Sequence, residues 1–397
     1  MEEKIAKPTE KQKFITRDFV LICISNFFLF LGFQMTLPML PFFISDIGGS
    51  DQIIGVIIGF FTFSALFTRS FAGYALETQG RKIVYVLGLV IFVITIGAYA
   101  FISSLALIFL VRLLQGIGWG CSGTASGTIA SDLIPSSRRG EGMGIYALGA
   151  NTALAIGPAL SLTLMESLSF KQMFLLCAGS GLVAVFLSLL IRYKKVDKSV
   201  EKVKEKHQFF EKAVWKPSIL MFLITITFGG IASFLPKHAA SKGIDIAHVK
   251  YYFVAYAFAL MSTRFFMGKL YDRRGMKFVF PPGAAMIFIA MLLLAWLPNM
   301  KVLILAAILY GWGFGTLQPA FNAWSISLVP QNKRGAATAT FFSAFDLGVG
   351  TGAIIFGVIG HLYGYHMIYL LSACSMVFAF VLFLRFAKEG SFSKSSS

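Results

Sequence analysis

The sequence predicts an all-α membrane protein of twelve transmembrane helices in two pseudo-symmetric six-helix bundles, and three observations carry that prediction. The chain is 57% hydrophobic and only 13% charged, with 42 phenylalanines and a mean hydropathy of +0.76. A soluble globule needs about a quarter of its residues charged. Stretches of about 20 residues with almost no charge recur, the length a hydrocarbon core demands. Finally, a gapless shift of 195 residues lays unusual positions on one another: Pro41 on Pro236, Arg69 on Arg264, Gly80 on Gly275, Gly116 on Gly311, Pro135 on Pro330, Gly157 on Gly352. A duplicated apolar body has a cleft between its halves, where a carrier holds its cargo.

Taken in order, the apolar runs predict spans at 19–44, 53–76, 83–103, 105–130, 141–166 and 171–191 in the first half. The second half gives 217–236, 248–271, 278–297, 301–329, 335–362 and 365–386. The first run is too long for the apolar segment of a signal peptide and follows a hydrophilic start, so it is read as a retained span. Between spans six and seven, residues 192–216 are crowded with Lys and Glu and read as the linker, leaving domains at 1–191 and 217–397. The Ser- and Gly-rich end, 388–397, reads as a disordered tail.

The net charge of +17 raises nucleic-acid binding, but its distribution points elsewhere. Of 35 Lys and Arg, 27 fall on one alternate set of connections and the two ends, and five (Lys171, Lys237, Lys242, Lys250, Lys301) on the other. This positive-inside pattern puts both termini in the cytoplasm of a multi-pass protein of the cell membrane, and an even number of spans agrees. No nucleic-acid partner is expected. The cysteines Cys23, Cys121, Cys177 and Cys374 sit singly in apolar runs and read as small packing residues. Glycines such as Gly116, Gly120, Gly123 and Gly127 read as sites of close helix approach.

The junction after span eight reads Gly268-Lys-Leu-Tyr-Asp272-Arg273-Arg274-Gly275-Met-Lys277, and its counterpart after span two reads Gly73-Tyr-Ala-Leu-Glu77-Thr78-Gln79-Gly80-Arg81-Lys82. Here the chain resembles the major facilitator superfamily, whose signature loop is G-x-x-x-D-R-x-G-R-[RK]. The likeness covers nearly the whole chain and is to the bacterial twelve-helix drug:proton antiporter branch. It implies that the loop latches one conformation through Glu77, Arg81, Asp272 and Arg273. The first copy departs, with Glu77 for Asp and Thr78 for Arg, which implies a weaker latch. Arg69 and Arg264, one turn inside, read as anchors that snorkel to the surface, with Asp132 or Glu141 as partners for pairing.

Deeper charges carry more information. Arg112 stands roughly 10 Å into span four and needs a polar partner or a wet cavity. Arg112, Gln115 and Trp119 share one helix face. The stretch from Arg112 to Gly118 resembles the family's R-x-x-Q-G-x-G, which implies proton coupling; a structural arginine bonded to backbone or helix-one polar groups is the alternative. Asp346 lies roughly 16 Å into span eleven, the one carboxylate well inside a span. It reads as a proton or cargo site, with Arg112 or a cationic cargo as competing partners and helix packing as the plain alternative. Asn26, Gln34, Asn151, Gln318 and Asn322 are candidate cleft residues suited to an amphipathic molecule. Gly157 and Pro158, with Gly149, partly resemble the antiporter motif G-x-x-x-G-P-x-x-G-G; Ala153, Ser161 and Leu162 depart from it.

His238, His248, His361 and His366 read as solvated loop histidines, and no spacing suggests a metal. There is no G-x-x-x-x-G-K-[ST], so the proton gradient is the expected energy source and no cofactor is expected. The reading is a monomeric secondary carrier, not an enzyme, that expels a small amphipathic compound in exchange for protons. Its alternatives are an importer or facilitator of a metabolite such as a sugar, and a membrane sensor on a carrier scaffold.

Overall fold

The computed structural model describes residues 15–135, 138–193, 211–330 and 333–388. Within these, the side chains of residues 70, 77, 139–141, 155, 264–273 and 334–335 lie outside the described set. The expected linker and tail fall largely in the intervals not described. The described residues form twelve long helices, beginning with α1 Arg17–Asp46, α2 Asp51–Thr78, α3 Arg81–Ala98, α4 Leu105–Leu133, α5 Arg139–Leu164 and α6 Phe170–Leu189. After a 3-10 turn, Lys212–Val214, follow α7 Trp215–Ser241, α8 Ile246–Arg274, α9 Met276–Trp296, α10 Met300–Ser327, α11 Arg334–Tyr363 and α12 Tyr365–Lys388. No strand occurs among the described residues.

Eleven of the helices are long and apolar enough to cross a membrane. The twelfth, α8, is 29 residues long; Tyr251, Tyr252, Tyr256 and Arg264 lower its hydropathy. The solvent is visible in the surface. Phe67, Phe71, Phe101, Phe258 and Trp296 are 68–77% exposed, which only a lipid environment tolerates across so much of one molecule.

Helix ends follow local chemistry. Thr16 caps α1 by accepting from the Phe19 backbone N–H at 3.2 Å. Asn299 does the same for α10, and Ser169 with Gln172 forms a capping box at α6, each satisfying orphan N–H groups. Between α2 and α3 the chain reverses at Gly80 with φ +100°, and between α8 and α9 at Gly275 with φ +70°. Glycine enters this region without a Cβ penalty, so the shift of 195 preserves the turns as well as the helices.

The same shift preserves the packing. A Cβ at Gly116 would stand 2.5 Å from the Phe61 carbonyl oxygen, and one at Gly311 2.7 Å from that of Tyr256. Gly118 lies against Phe92 and Gly88, and Gly313 against Ile287 and Gly283. Glycine therefore brings α4 onto α2 and α3 and, in register, α10 onto α8 and α9. Within the first six helices α1 also packs on α5 and α6; within the last six α7 packs on α11 and α12. The halves meet chiefly along α2 with α11 and α5 with α8. With eleven reversals joining twelve helices, residues 17 and 388 share one face, the terminal face.

Candidate functional site

α2 and α11 run antiparallel along the boundary between the halves. A Cβ at Gly55 would meet the Ala353 carbonyl oxygen at 2.5 Å, one at Gly357 the Asp51 carbonyl oxygen at 2.6 Å, and one at Gly350 the Cβ of Thr62 at 2.5 Å. The backbones touch because no side chain separates them. Further toward the terminal face, beyond Thr62 and Gly350, the seam ends in charge. Arg69 Nη2 of α2 lies 2.6 Å from Asp346 Oδ2 of α11.

These side chains are 23% and 24% exposed, so both are largely desolvated. The approach is a charge contact rather than an aligned hydrogen bond, since neither Arg69 Nε nor Asp346 Oδ2 has a hydrogen-bond partner. Arg69 is thus tied to the other half rather than standing as the surface anchor expected from the sequence, and Asp132 is not its partner; the Glu141 side chain lies outside the described residues. Asp132 is taken by Arg81, whose Nε lies 3.1 Å from Asp132 Oδ2 and whose Nη1 donates to the Leu76 carbonyl at 2.8 Å. Asp346, in turn, does not pair with Arg112. The reason is position: antiparallel packing puts α2, not α4, opposite the middle of α11.

On the face opposite the termini a second set of contacts ties the halves. Lys237 Nζ of α7 is 2.5 Å from Asp51 Oδ1 of α2 and 2.6 Å from Ser45 Oγ of α1. The Tyr365 hydroxyl of α12 donates to Asp51 Oδ2 at 2.7 Å. Lys237 and Asp51 are each 14% exposed, a burial that makes loss of either partner costly. Lys250 Nζ lies 2.6 Å from Glu166 Oε1, a more exposed link between α8 and the end of α5. The halves are therefore closed on this face.

Arg112 is fully buried within the first half. Its Nη1 donates to Gln115 Oε1 at 2.6 Å, which also accepts from the Tyr99 hydroxyl at 3.1 Å. Its guanidinium lies 4.3 Å from the Phe61 ring centroid and 5.9 Å from that of Phe33, while Nε and Nη2 have no hydrogen-bond partner. Trp119 stacks on Phe33 with centroids 4.3 Å apart, so the shared face read from the sequence exists as an aromatic wall.

The amides divide. Asn26 is buried and accepts from the Tyr146 hydroxyl at 3.0 Å and the Ser126 hydroxyl at 3.4 Å, tying α1 to α5 and α4. Gln34 is 5% exposed and packs against Gly157, where a Cβ would meet its own at 2.6 Å; Pro158 beside it is buried. Asn151, Gln318 and Asn322 are half-buried, and Asn322 Oδ1 has no hydrogen-bond partner. Gly73 has open space around it. The side chains of Glu77, Arg264, Gly268, Asp272 and Arg273 lie outside the described residues, as does that of Glu141.

His238 corrects the sequence reading. It is 1% exposed, with Nε2 donating to the Leu294 carbonyl at 2.7 Å and its ring 4.9 Å from that of Tyr369. α7 continues past Pro236 to Ser241, which carries His238 and Lys237 inside the bundle. Sequence reasoning also missed Asp51, which opens α2 two residues before the predicted span 53–76. An acid at the start of one span and a lysine at the end of another were the available signal. Among the described residues no group of three or more His, Cys, Asp or Glu is arranged to hold a metal.

Comparison with known proteins agrees with this architecture. The sequence model of the Major Facilitator Superfamily matches residues 22–301 and 217–396. The chain is 24% identical to the staphylopine export protein of Staphylococcus aureus (strain Mu50), over 87% of this chain and 89% of that one. It is 27% identical to the uncharacterized transporter YhhS of Escherichia coli (strain K12), over 98% and 97%. Among solved structures it resembles a bacterial homolog of the human lysosomal transporter Spinster in an inward-facing, unoccupied conformation. There the TM-score is 0.76 at 15% identity, covering 98% of this chain and all of the other.

Proposed function

Because the chain belongs to the major facilitator superfamily, we propose that this transporter expels a small amphipathic organic compound in exchange for protons. The Arg69–Asp346 contact carries the reading. A partly exposed carboxylate held by a cation of the opposite half joins protonation to the contact between halves: a proton on Asp346 removes its charge, and the α2–α11 seam loses its electrostatic end. That is what coupling requires, a bound ligand that favours one arrangement of the halves over another. The similarity to an export protein supports outward transport.

In this reading the terminal face, which carries the basic connections, lies in the cytoplasm. The contacts of Asp51, Lys237, Tyr365, Glu166 and Lys250 then close the outer side, and an ionised Asp346 held by Arg69 would correspond to a carrier that has released its proton and awaits cargo from inside. Arg81, Arg69 and Asp132 serve the arrangement of the halves, and Arg112 braces the first one. The cell membrane of a bacterium is the proposed location, and protons and the cargo are the proposed partners of a monomer.

The test uses everted vesicles, a substrate panel and a pH-gradient readout, comparing wild type with Asp346→Asn. Antiport predicts gradient-dependent cargo uptake into the vesicles and its loss in the variant. Equal cargo movement with the gradient collapsed would overturn proton coupling, and cargo accumulation in the opposite sense would make the chain an importer.

A further inference from the structure

In the second half, Phe228 and Ile231 of α7, Tyr252, Phe253 and Tyr256 of α8, and Tyr310 of α10 line a gap between the three helices that is too narrow, as it stands, to hold a water molecule. All six are at least nine-tenths buried. The shift of 195 lays them on Phe33, Thr36, Ile57, Ile58, Phe61 and Gln115 of the first half. There a charged side chain stands at the corresponding place. The Arg112 guanidinium lies over Phe61 and Phe33 and bonds to Gln115. The position that matches Arg112 is Ala307, fully buried and without a side chain long enough to reach the space.

The surrounding geometry repeats as well. Phe33 stacks with Trp119 at 4.3 Å, and their counterparts Phe228 and Phe314 at 5.7 Å. Tyr256 and Tyr310 stand 5.9 Å apart where Phe61 and Gln115 flank the guanidinium. One half therefore holds a cation between two rings, and the other has five rings and no cation.

We propose that this aromatic cage is a binding site for the cationic group of the cargo, a guanidinium or a small ammonium. Ring faces attract cations most where water is excluded, and the protein already makes such a contact with its own arginine in the equivalent place. The Tyr252 hydroxyl is buried without a hydrogen-bond partner, which supplies an acceptor for a ligand N–H. The Tyr310 hydroxyl is held by Thr227 at 3.0 Å, which fixes that wall. A ring path through Phe314 and Phe345, 6.1 Å apart, leads from the cage to the residue beside Asp346. In the state described the walls have closed in, so a ligand must part them. The proposal concerns the cargo of the carrier proposed above but depends on neither its direction nor its coupling.

Equilibrium dialysis with the full chain in lipid nanodiscs, without any gradient, tests it with benzylguanidinium and its neutral isostere benzylurea. Wild type is expected to prefer the cation by about 5- to 30-fold. Tyr256→Phe keeps the ring and should keep the preference; Tyr256→Leu and Tyr310→Leu should each reduce it severalfold. Ala307→Arg, which fills the cage as Arg112 fills its counterpart, should abolish it, with a thermal melt reporting on folding. The Tyr256 pair decides the matter should the arginine variant fail to fold. No cation preference in wild type, or a preference that survives both leucine variants, overturns the proposal. A preference that disappears in Asp346→Asn yet persists in Tyr256→Leu places the cation at the carboxylate and overturns it too. Loss of proton coupling in vesicles, with the binding pattern intact, would sink only the antiport reading.

Discussion

Asp346 of α11 touches Arg69 of α2 at 2.6 Å where the glycine-lined contact between those helices ends. Oppositely charged groups a quarter exposed retain a useful part of their attraction. A double-mutant cycle on Arg69→Met and Asp346→Asn, read by thermal or denaturant unfolding in detergent, should give a coupling energy of about 1–3 kcal/mol. Additive single effects would show that the contact does not hold the halves together.

The buried contact of Asp51 with Lys237 and Tyr365 should keep the face opposite the termini shut. Asp51→Asn or Lys237→Met leaves its partner uncompensated, so the population should move toward opening of that face by about 5- to 150-fold. Spin labels at Asp46→Cys and Lys242→Cys, both exposed near that face, on a cysteine-free background, should report a longer distance in both variants. The more exposed pair Glu166 with Lys250 should contribute less, so Glu166→Gln should shift the distance little.

Gly350 admits no side chain while α2 and α11 are in contact, since a Cβ would meet that of Thr62 at 2.5 Å. Gly350→Leu should cost about 1–3 kcal/mol of stability in the closed arrangement and reduce transport at least tenfold while leaving the protein in the membrane. A variant with wild-type turnover would show that this seam need not close during the cycle.

Arg112 and Gln115 should behave unequally. Gln115→Leu removes the acceptor and strands a buried guanidinium, which predicts a loss of about 3 kcal/mol or more. Arg112→Met removes the charge and keeps the bulk, and should change stability by about 1 kcal/mol or less. The two candidate roles of Arg112 then separate: if it carries protons, the Met variant loses gradient-driven transport at near-normal stability; if it braces the helix, transport survives.

Helix number, the 195-residue repeat and the glycine contacts could be read from the chain because each is periodic or local. Gly116 and Gly311 announce close packing by recurring in register, and the structure finds both against a carbonyl oxygen of the neighbouring helix. Partner choice was not legible. The sequence offered Arg69 only Asp132 and Glu141, and it is the antiparallel register of α2 against α11 that brings Asp346 to it. His238 and Lys237 looked like loop residues because Pro236 suggested a helix end, yet α7 passes through it. Membrane helices accept proline when neighbours supply the lost contacts, a condition set by tertiary packing alone.

Twofold bodies distribute force evenly unless something marks one side. Here the matching position for Arg69 is another arginine, Arg264, but that for Asp346 is the amide Asn151. Acid titration can pull on one flank only, and its mirror image must follow mechanically. The rocking of such a molecule would be a tilt with a leading edge, begun at α2 and α11 and completed at α5 and α8.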